Sequence, residues 1–233
     1  IGQILVDLGR ITHRDTQRIF ARHRERGVRF GEAAVQLRLA TRAEIEQALA
    51  IQFNFPMLRP GDAGISREVV VAFDTGARAA EAVRELRSEL VVRWLGGGRK
   101  TLAVVGFGAG RGRAFIAANL AAAFAQMGER TLLIDANLRG PVQHEFFRLP
   151  ARHGLSTVLN GGDKTEAVER ISYFGTLSVL PCGPPPPNPL ELLSRPVFRR
   201  LLDEAEREYD VVVVDTPPAE RGADARAVAA RAG

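Results

Sequence analysis

The N-terminal stretch repeats its own pattern of apolar and polar positions. IGQILVDLGRITHRDTQRI (Ile1 to Ile19) aligns with FGEAAVQLRLATRAEIEQA (Phe30 to Ala48) at a constant offset, pairing Gly2 with Gly31, Val6 with Val35, Leu8 with Leu37 and Thr12 with Thr41. Apolar residues recur at helical spacing in each copy. A threonine then precedes an acid by three residues (Thr12/Asp15, Thr41/Glu44), so that hydroxyl and carboxylate can satisfy each other's backbone N–H groups at a helix start. Each copy is predicted to be a short helix, a turn and a longer helix. Two such units bury their apolar faces against each other, giving a small all-α repeat domain over residues 1–57.

The pattern then breaks. Residues 58–76, preceded by Pro56 and containing Pro60, Gly61, Gly64 and Gly76, lack sustained periodicity and read as a linker. A charged amphipathic helix follows from Ala77 to Leu95, closed by Gly96 to Gly98. Beyond it strands and helices alternate: strand Leu102–Val105, helix Arg113–Met127, strands Thr131–Ile134 and Leu177–Leu180, helix Pro196–Tyr209 and strand Val211–Val214. The strands are short continuous apolar runs, as a parallel sheet covered on both faces requires. Residues 77–233 are therefore expected to form an α/β domain, a parallel sheet flanked by helices. The chain starts at Ile1 and stops within an apparent helix, Ala223 to Ala232, so the domain reads as C-terminally truncated.

Composition narrows the possibilities. The formal charge of +5 in 233 residues comes from arginines spread through every segment, without the aromatic-interleaved basic stripe of a nucleic-acid reader, so no nucleic-acid partner is expected. One cysteine, Cys182, allows no internal disulfide, and no secretory signal or bilayer-length apolar run is present. These features predict a cytoplasmic protein. His13, His23, His144 and His153 show no metal-ligand spacing.

The chemistry concentrates at LAVVGFGAGRGRAFIAAN (Leu102 to Asn119), an apolar strand that ends in alternating glycines and opens into an alanine-rich helix. It has the outline of a phosphate-binding loop, in which backbone N–H groups cradle phosphates, a lysine neutralises them and a hydroxyl holds Mg²⁺. A dinucleotide-binding G-x-G-x-x-G would need glycine at 111 or 113, and both are arginine. Two later strands end in acids, LLIDANLRGP at Asp135 and YDVVVVDTPP at Asp215, which a parallel sheet brings to its carboxyl edge beside the loop. Such a pair can hold Mg²⁺ and orient a nucleophile. Taken singly, the glycines also fit a structural turn, and the acids fit helix caps.

Several co-ordered segments from about Ala77 onward resemble the bacterial tyrosine kinases that control exopolysaccharide chain length and export, which use a modified P-loop fold. They are GRGRAFIAANLAAAFAQMGERTLLIDANLRGP, GLSTVLNGG (Gly154 to Gly162), LPCGPPPPNPLELL (Leu180 to Leu193) and YDVVVVDTPP. The resemblance implies that ATP or ADP lies against Gly108, Gly110, Arg111, Gly112, Arg113, Ala114 and Phe115, with Asn137 and Arg139 alongside. It implies a catalytic set of Asp135, Asp215 and Arg113, with Mg²⁺ on Asp135 and Asp215. Arg113 stands where the family has its phosphate-contacting lysine, Ala114 where it has the metal-binding hydroxyl, and Asn137 where it has a second acid. Ala114 cannot ligate a metal and Asn137 lacks a charge, so the Mg²⁺ site is weakened and phosphoryl transfer is expected to be slow. Arg113 keeps a phosphate-pairing charge in a larger, planar form. Glu81, Arg84 and Arg87 match the family's E-x-x-R-x-x-R element, implied to reach a neighbouring subunit in self-association; alone they also read as a solvated helix face. The family phosphorylates a tyrosine cluster, whereas this chain has only Tyr173 and Tyr209.

The N-terminal repeat resembles the N-terminal domain of type II secretion and type IV pilus ATPases, some of which bind cyclic di-GMP. Arg29, Gly31 and Gln52 match that motif in the second copy; the first has Gly2 but His23 in place of the glutamine. The resemblances imply an autokinase acting with a membrane-bound polysaccharide co-polymerase. The alternative is a non-catalytic scaffold responding to nucleotide or cyclic di-GMP. A partitioning-type ATPase fits less well, because Gly108 stands where that group has a further lysine.

Overall fold

A computed structural model describes residues 1–53, 57–58, 64–73 and 76–232. Pro56, just ahead of the expected linker, and Pro60 and Gly61 within it lie outside these, as does Gly233. The chain divides into two compact units, Ile1–Arg59 and Pro60–Gly233.

The first unit contains α1 (Gly2–Asp7), α2 (His13–Arg26), α3 (Phe30–Gln36) and α4 (Arg42–Gln52), the short-then-long order the repeat predicts. Both longer helices open with the expected reciprocal cap. Thr12 Oγ1 accepts from Asp15 N while Asp15 accepts from Thr12 N, and Thr41 and Glu44 do the same. The copies also turn alike: Gly9 and its counterpart Arg38 both have positive φ, +65° and +54°. Equivalent side chains fill the core, Leu5 with Ala34, Ile11 with Ala40 and Ile19 with Ala48. Gly31 explains why α3 and α4 approach so closely, since a Cβ there would sit 2.7 Å from Ile45 Cγ2. Gly31→Ala is expected to cost about 1–3 kcal/mol in chemical denaturation. In an Ile45→Ala background the added cost should fall below about 0.5 kcal/mol, because the colliding methyl is gone. Equal costs in both backgrounds would show that this contact does not set the helix spacing.

The second unit opens on residues 64–73, which the sequence pattern assigned to linker. Here Val69, Val71 and Ala72 are buried. They are fastened to the following domain by Asn119, which accepts from Val71 N at 3.2 Å and donates to Glu68 O at 2.8 Å. Gln126 Nε2 also donates to Val71 O and Ser66 N to Phe146 O, and Val70–Ala72 form a single 3-10 turn, too short to show a period in the sequence.

The rest follows the predicted alternation within a residue or two: α5 (Arg78–Arg93), β1 (Thr101–Val104), α6 (Gly112–Gln126) and β2 (Thr131–Asp135). Three short helices come next, α7 (Gln143–Phe146), α8 (Leu155–Leu159) and α9 (Lys164–Ala167), with β3 (Glu169–Arg170) and β4 (Leu177–Leu180). Then come α10 (Pro189–Ser194), α11 (Pro196–Glu208), β5 (Val211–Asp215) and α12 (Asp224–Ala232). The sheet order is β1-β5-β2-β4-β3, parallel throughout except for β3 at the edge. β2 and β5 are buried along their whole length, so their acids reach the carboxyl edge from the densest part of the core. The alanines of α6, buried from Ala117 to Ala125, let that helix lie close to the sheet. Among the described residues no helix is long and apolar enough to cross a membrane.

Candidate functional site

β2 and β5 run in register up to their last residues, so Asp135 and Asp215 are direct cross-strand partners. Both are fully buried. Two carboxylates so placed repel each other more strongly than they would in bulk solvent, and the chain surrounds them with donors. Asp135 Oδ1 accepts from Asn137 N at 3.1 Å; its Oδ2 accepts from Val142 N at 3.1 Å and Gln143 N at 3.0 Å. Arg113, in the first turn of α6, donates through Nε to Asp215 Oδ1 at 3.0 Å, with a side chain only 5 % exposed. Gln143 Nε2 donates to Asp215 Oδ2 at 2.8 Å and to Ala114 O at 3.1 Å. Gln143 therefore ties both acids to the start of α6. Sequence reasoning missed it, since nothing in its spacing distinguishes it from a loop glutamine.

Burial, reinforced by the Asp215 charge, pushes the Asp135 carboxyl up to about 7, although three backbone N–H groups pull it down. Burial also raises Asp215, opposed by Gln143 and Arg113. A carboxyl raised in the folded state keeps its proton after the unfolded chain has lost it, so its contribution to stability falls between about pH 4 and about pH 7. Asp135→Asn removes that titration. The melting temperature of wild type relative to the variant should therefore drop as pH rises through this window; a constant difference would contradict the raised carboxyl.

The loop residues distribute as follows. Gly108, Gly110 and Gly112 have no positive φ, and a Cβ at any of them would meet nothing within 4 Å, so packing within the chain does not require glycine there. Arg111 is turned outward onto Glu145 (2.7 Å) and Glu68 (3.2 Å), with its guanidinium over the Phe146 ring. Ala114 is buried, and Phe115 O accepts from Asn119 Nδ2. Asn137 donates its amide to Gly140 O, while its buried Oδ1 has no hydrogen-bond partner among the described residues. Arg139 is paired with Asp224 and lines a cavity of about 500 Å³ with Pro185, Pro186, Pro187 and Arg221.

Away from the sheet edge, Glu81 and Arg84 pair with each other at 2.6 Å, and Arg87 donates to Ala123 O at 2.9 Å within the same chain. In the helical unit, Arg29 and Gly31 line a cavity of about 630 Å³ with Val35, Arg42 and Leu49. Gln52, the last residue of α4, is exposed and outside that lining. His23, where the motif has glutamine, is spent on Val28 O through Nδ1.

A family model described as cellulose biosynthesis protein BcsQ matches residues 99–232. The chain is 37% identical over 162 residues to the tyrosine-protein kinase YwqD of Bacillus subtilis (strain 168), covering 70% of this chain and 68% of that protein. It is 40% identical over 152 residues to the tyrosine-protein kinase etk of Escherichia coli (strain K12), covering 64% of this chain but 21% of that kinase, so it spans about a fifth of etk's length. The solved kinase domain of the Escherichia coli tyrosine kinase ETK superposes with a TM-score of 0.67 at 35% identity, over 73% of this chain and 66% of that one. The residues matched by the family model lie in the α/β unit and include the loop and the two acids. The chain thus belongs to the bacterial tyrosine-protein kinase family, in a stretch that the BcsQ family model also describes.

Proposed function

We propose that this protein is a nucleotide-binding member of the tyrosine autokinases that control exopolysaccharide chain length or export, with strongly impaired phosphoryl transfer. The loop glycines carry this reading. Gly108, Gly110 and Gly112 serve neither backbone conformation nor packing within the chain, and a phosphate brought against the backbone N–H groups at the start of α6 supplies the missing reason. The nucleotide is ATP or ADP. Ala114 and Asn137 remove a hydroxyl and a charge from machinery whose catalysis is positioning and charge stabilisation. In this reading the protein works in the cytoplasm beside a membrane-bound polysaccharide co-polymerase and self-associates through the face of α5 that carries Glu81, Arg84 and Arg87.

Calorimetric titration with ADP and ATP tests the proposal. Saturable binding with little phosphotyrosine is expected. No heat at millimolar nucleotide overturns the reading, and robust autophosphorylation overturns the impairment.

A second reading rests on the helical unit. There the protein is a scaffold that relays cyclic di-GMP to the co-polymerase, and the supporting observation is the cavity that places Arg29, and Arg42 with its partner Glu46 at 3.1 Å, beside apolar Val35 and Leu49, with Glu32 also in the lining. Arg29, which makes no ion pair among the described residues, suits a dianionic ligand, and the apolar walls suit its bases. Arg29→Ala should weaken cyclic di-GMP binding at least about tenfold, the loss of one charge-assisted contact. Unchanged binding would remove the site.

A further inference from the structure

In P-loop kinases a divalent metal ordinarily offsets the phosphate charge, held by the loop hydroxyl and a strand-end acid. The residues present here do not fit that ion. Ala114 has no oxygen to offer from its side chain. Asp215 is the acid a metal would need, and each of its oxygens is already engaged, Oδ1 by Arg113 Nε at 3.0 Å and Oδ2 by Gln143 Nε2 at 2.8 Å. Both oxygens of Asp135 accept backbone N–H groups, three in all. Asn137 stands where a further acid would help; its amide nitrogen donates to Gly140 O, and its buried Oδ1, without a hydrogen-bond partner among the described residues, brings a neutral oxygen and no charge. A metal entering here would compete with these bonds for the same carboxylates and would meet the Arg113 guanidinium, a like charge already 3.0 Å from Asp215.

Arg113 supplies the charge instead. Its stem lies against Gly106, with Cβ, Cγ and Cδ 3.6–3.9 Å from the position of a Cβ on that glycine. The ion pair with Asp215 uses Nε and leaves Nη1 buried with no hydrogen-bond partner among the described residues. A buried guanidinium N–H without an acceptor is unfavourable, and a phosphoryl oxygen in the loop is the acceptor the chain does not provide.

We propose that Arg113, fixed on Asp215, replaces the divalent metal as the counter-charge in this loop, so that ADP and ATP bind independently of Mg²⁺. The proposal rests on the nucleotide reading above and goes beyond it by assigning the counter-charge to a side chain. Lysine could not serve in the same way. Its single ammonium has no fork with which to hold Asp215 and a phosphate at fixed geometry together.

Titration of the whole chain with ADP, once in EDTA and once in excess MgCl₂, decides it. The expected result is a Kd that differs by less than about threefold between the two buffers. In the Arg113→Lys/Ala114→Ser double variant, which restores a point charge and a hydroxyl, Mg²⁺ should tighten ADP at least about tenfold. Should that variant fail to fold, Ala114→Ser alone is the second arm: with Arg113 still on Asp215, its affinity should remain indifferent to Mg²⁺, and a tenfold gain there would overturn the proposal. Wild-type binding that tightens tenfold or more with Mg²⁺ overturns it while leaving the nucleotide reading intact. No binding in either buffer overturns both.

Discussion

The Arg113→Lys/Ala114→Ser variant is expected to hydrolyse or transfer the γ-phosphate of ATP at least about a hundredfold faster than wild type when Mg²⁺ is present. The effect should be large because both substitutions act on the same step. Serine returns a ligand that can hold the metal between loop and phosphates, and lysine releases Asp215 from the 3.0 Å ion pair that now engages it. Gln143 keeps its hold on the other oxygen of Asp215, so the acid stays oriented. ADP release under steady-state conditions measures the gain, with phosphotyrosine blotting as a second readout. An unchanged rate would place the defect at Asn137, and adding Asn137→Asp to the double variant would then restore activity if the missing charge were the cause.

Gly154→Ala is expected to have the largest effect on stability. Gly154 sits at the start of α8 with an extended backbone, so conformation does not demand glycine; space does. A Cβ there would lie 2.2 Å from Gly183 N, 2.3 Å from Pro181 O and 2.5 Å from Cys182 C, all backbone atoms that no rotamer change can move. The same contact is reciprocal: Gly183 has φ +76°, and its own Cβ would meet Gly154 N at 2.9 Å. Around this point Leu155 N donates to Pro181 O and Ser156 N to Cys182 O, so relieving the clash would also break a pair of backbone hydrogen bonds. The substitution should cost more than about 3 kcal/mol. That corresponds to a fall of about 6–12 °C in the melting of the α/β unit. A shift under about 2 °C would mean that the two loops part freely.

The same contact joins two segments that carry the family resemblance, GLSTVLNGG and LPCGPPPPNPLELL. Their shared order along the chain is visible in the sequence, but their reason for being together is not. Gly154 and Gly183 meet only because β4 ends beside the start of α8, and neither glycine sits in a turn motif that would announce a close approach. β3 was missed for a similar cause: a pair of residues, Glu169 and Arg170, is too short for any period, and they become a strand only by pairing with β4. Residues 64–73 read as linker because the groups that hold them, Asn119 and Gln126 on α6 and the Phe146 carbonyl, lie far along the chain.

Near-neighbour chemistry was legible throughout. The reciprocal caps at Thr12 and Thr41, the duplicated helices and the apolar runs of β2, β4 and β5 follow from interactions within a few residues, and the amino-acid order states these directly. It also placed Asp135 and Asp215 at one edge of a parallel sheet, because both close such runs. What those acids touch is a different matter. Arg113, Gln143 and the two carboxylates come from four separate stretches, and their bonding depends on the register of β2 with β5 and on where α6 and the loop after β2 bring donors into a buried site. Burial makes each of those bonds strong and each unmet partner costly. Whether Arg113 is free to meet a phosphate or already committed to an acid is therefore a property of the packed core, beyond the reach of residue type and spacing.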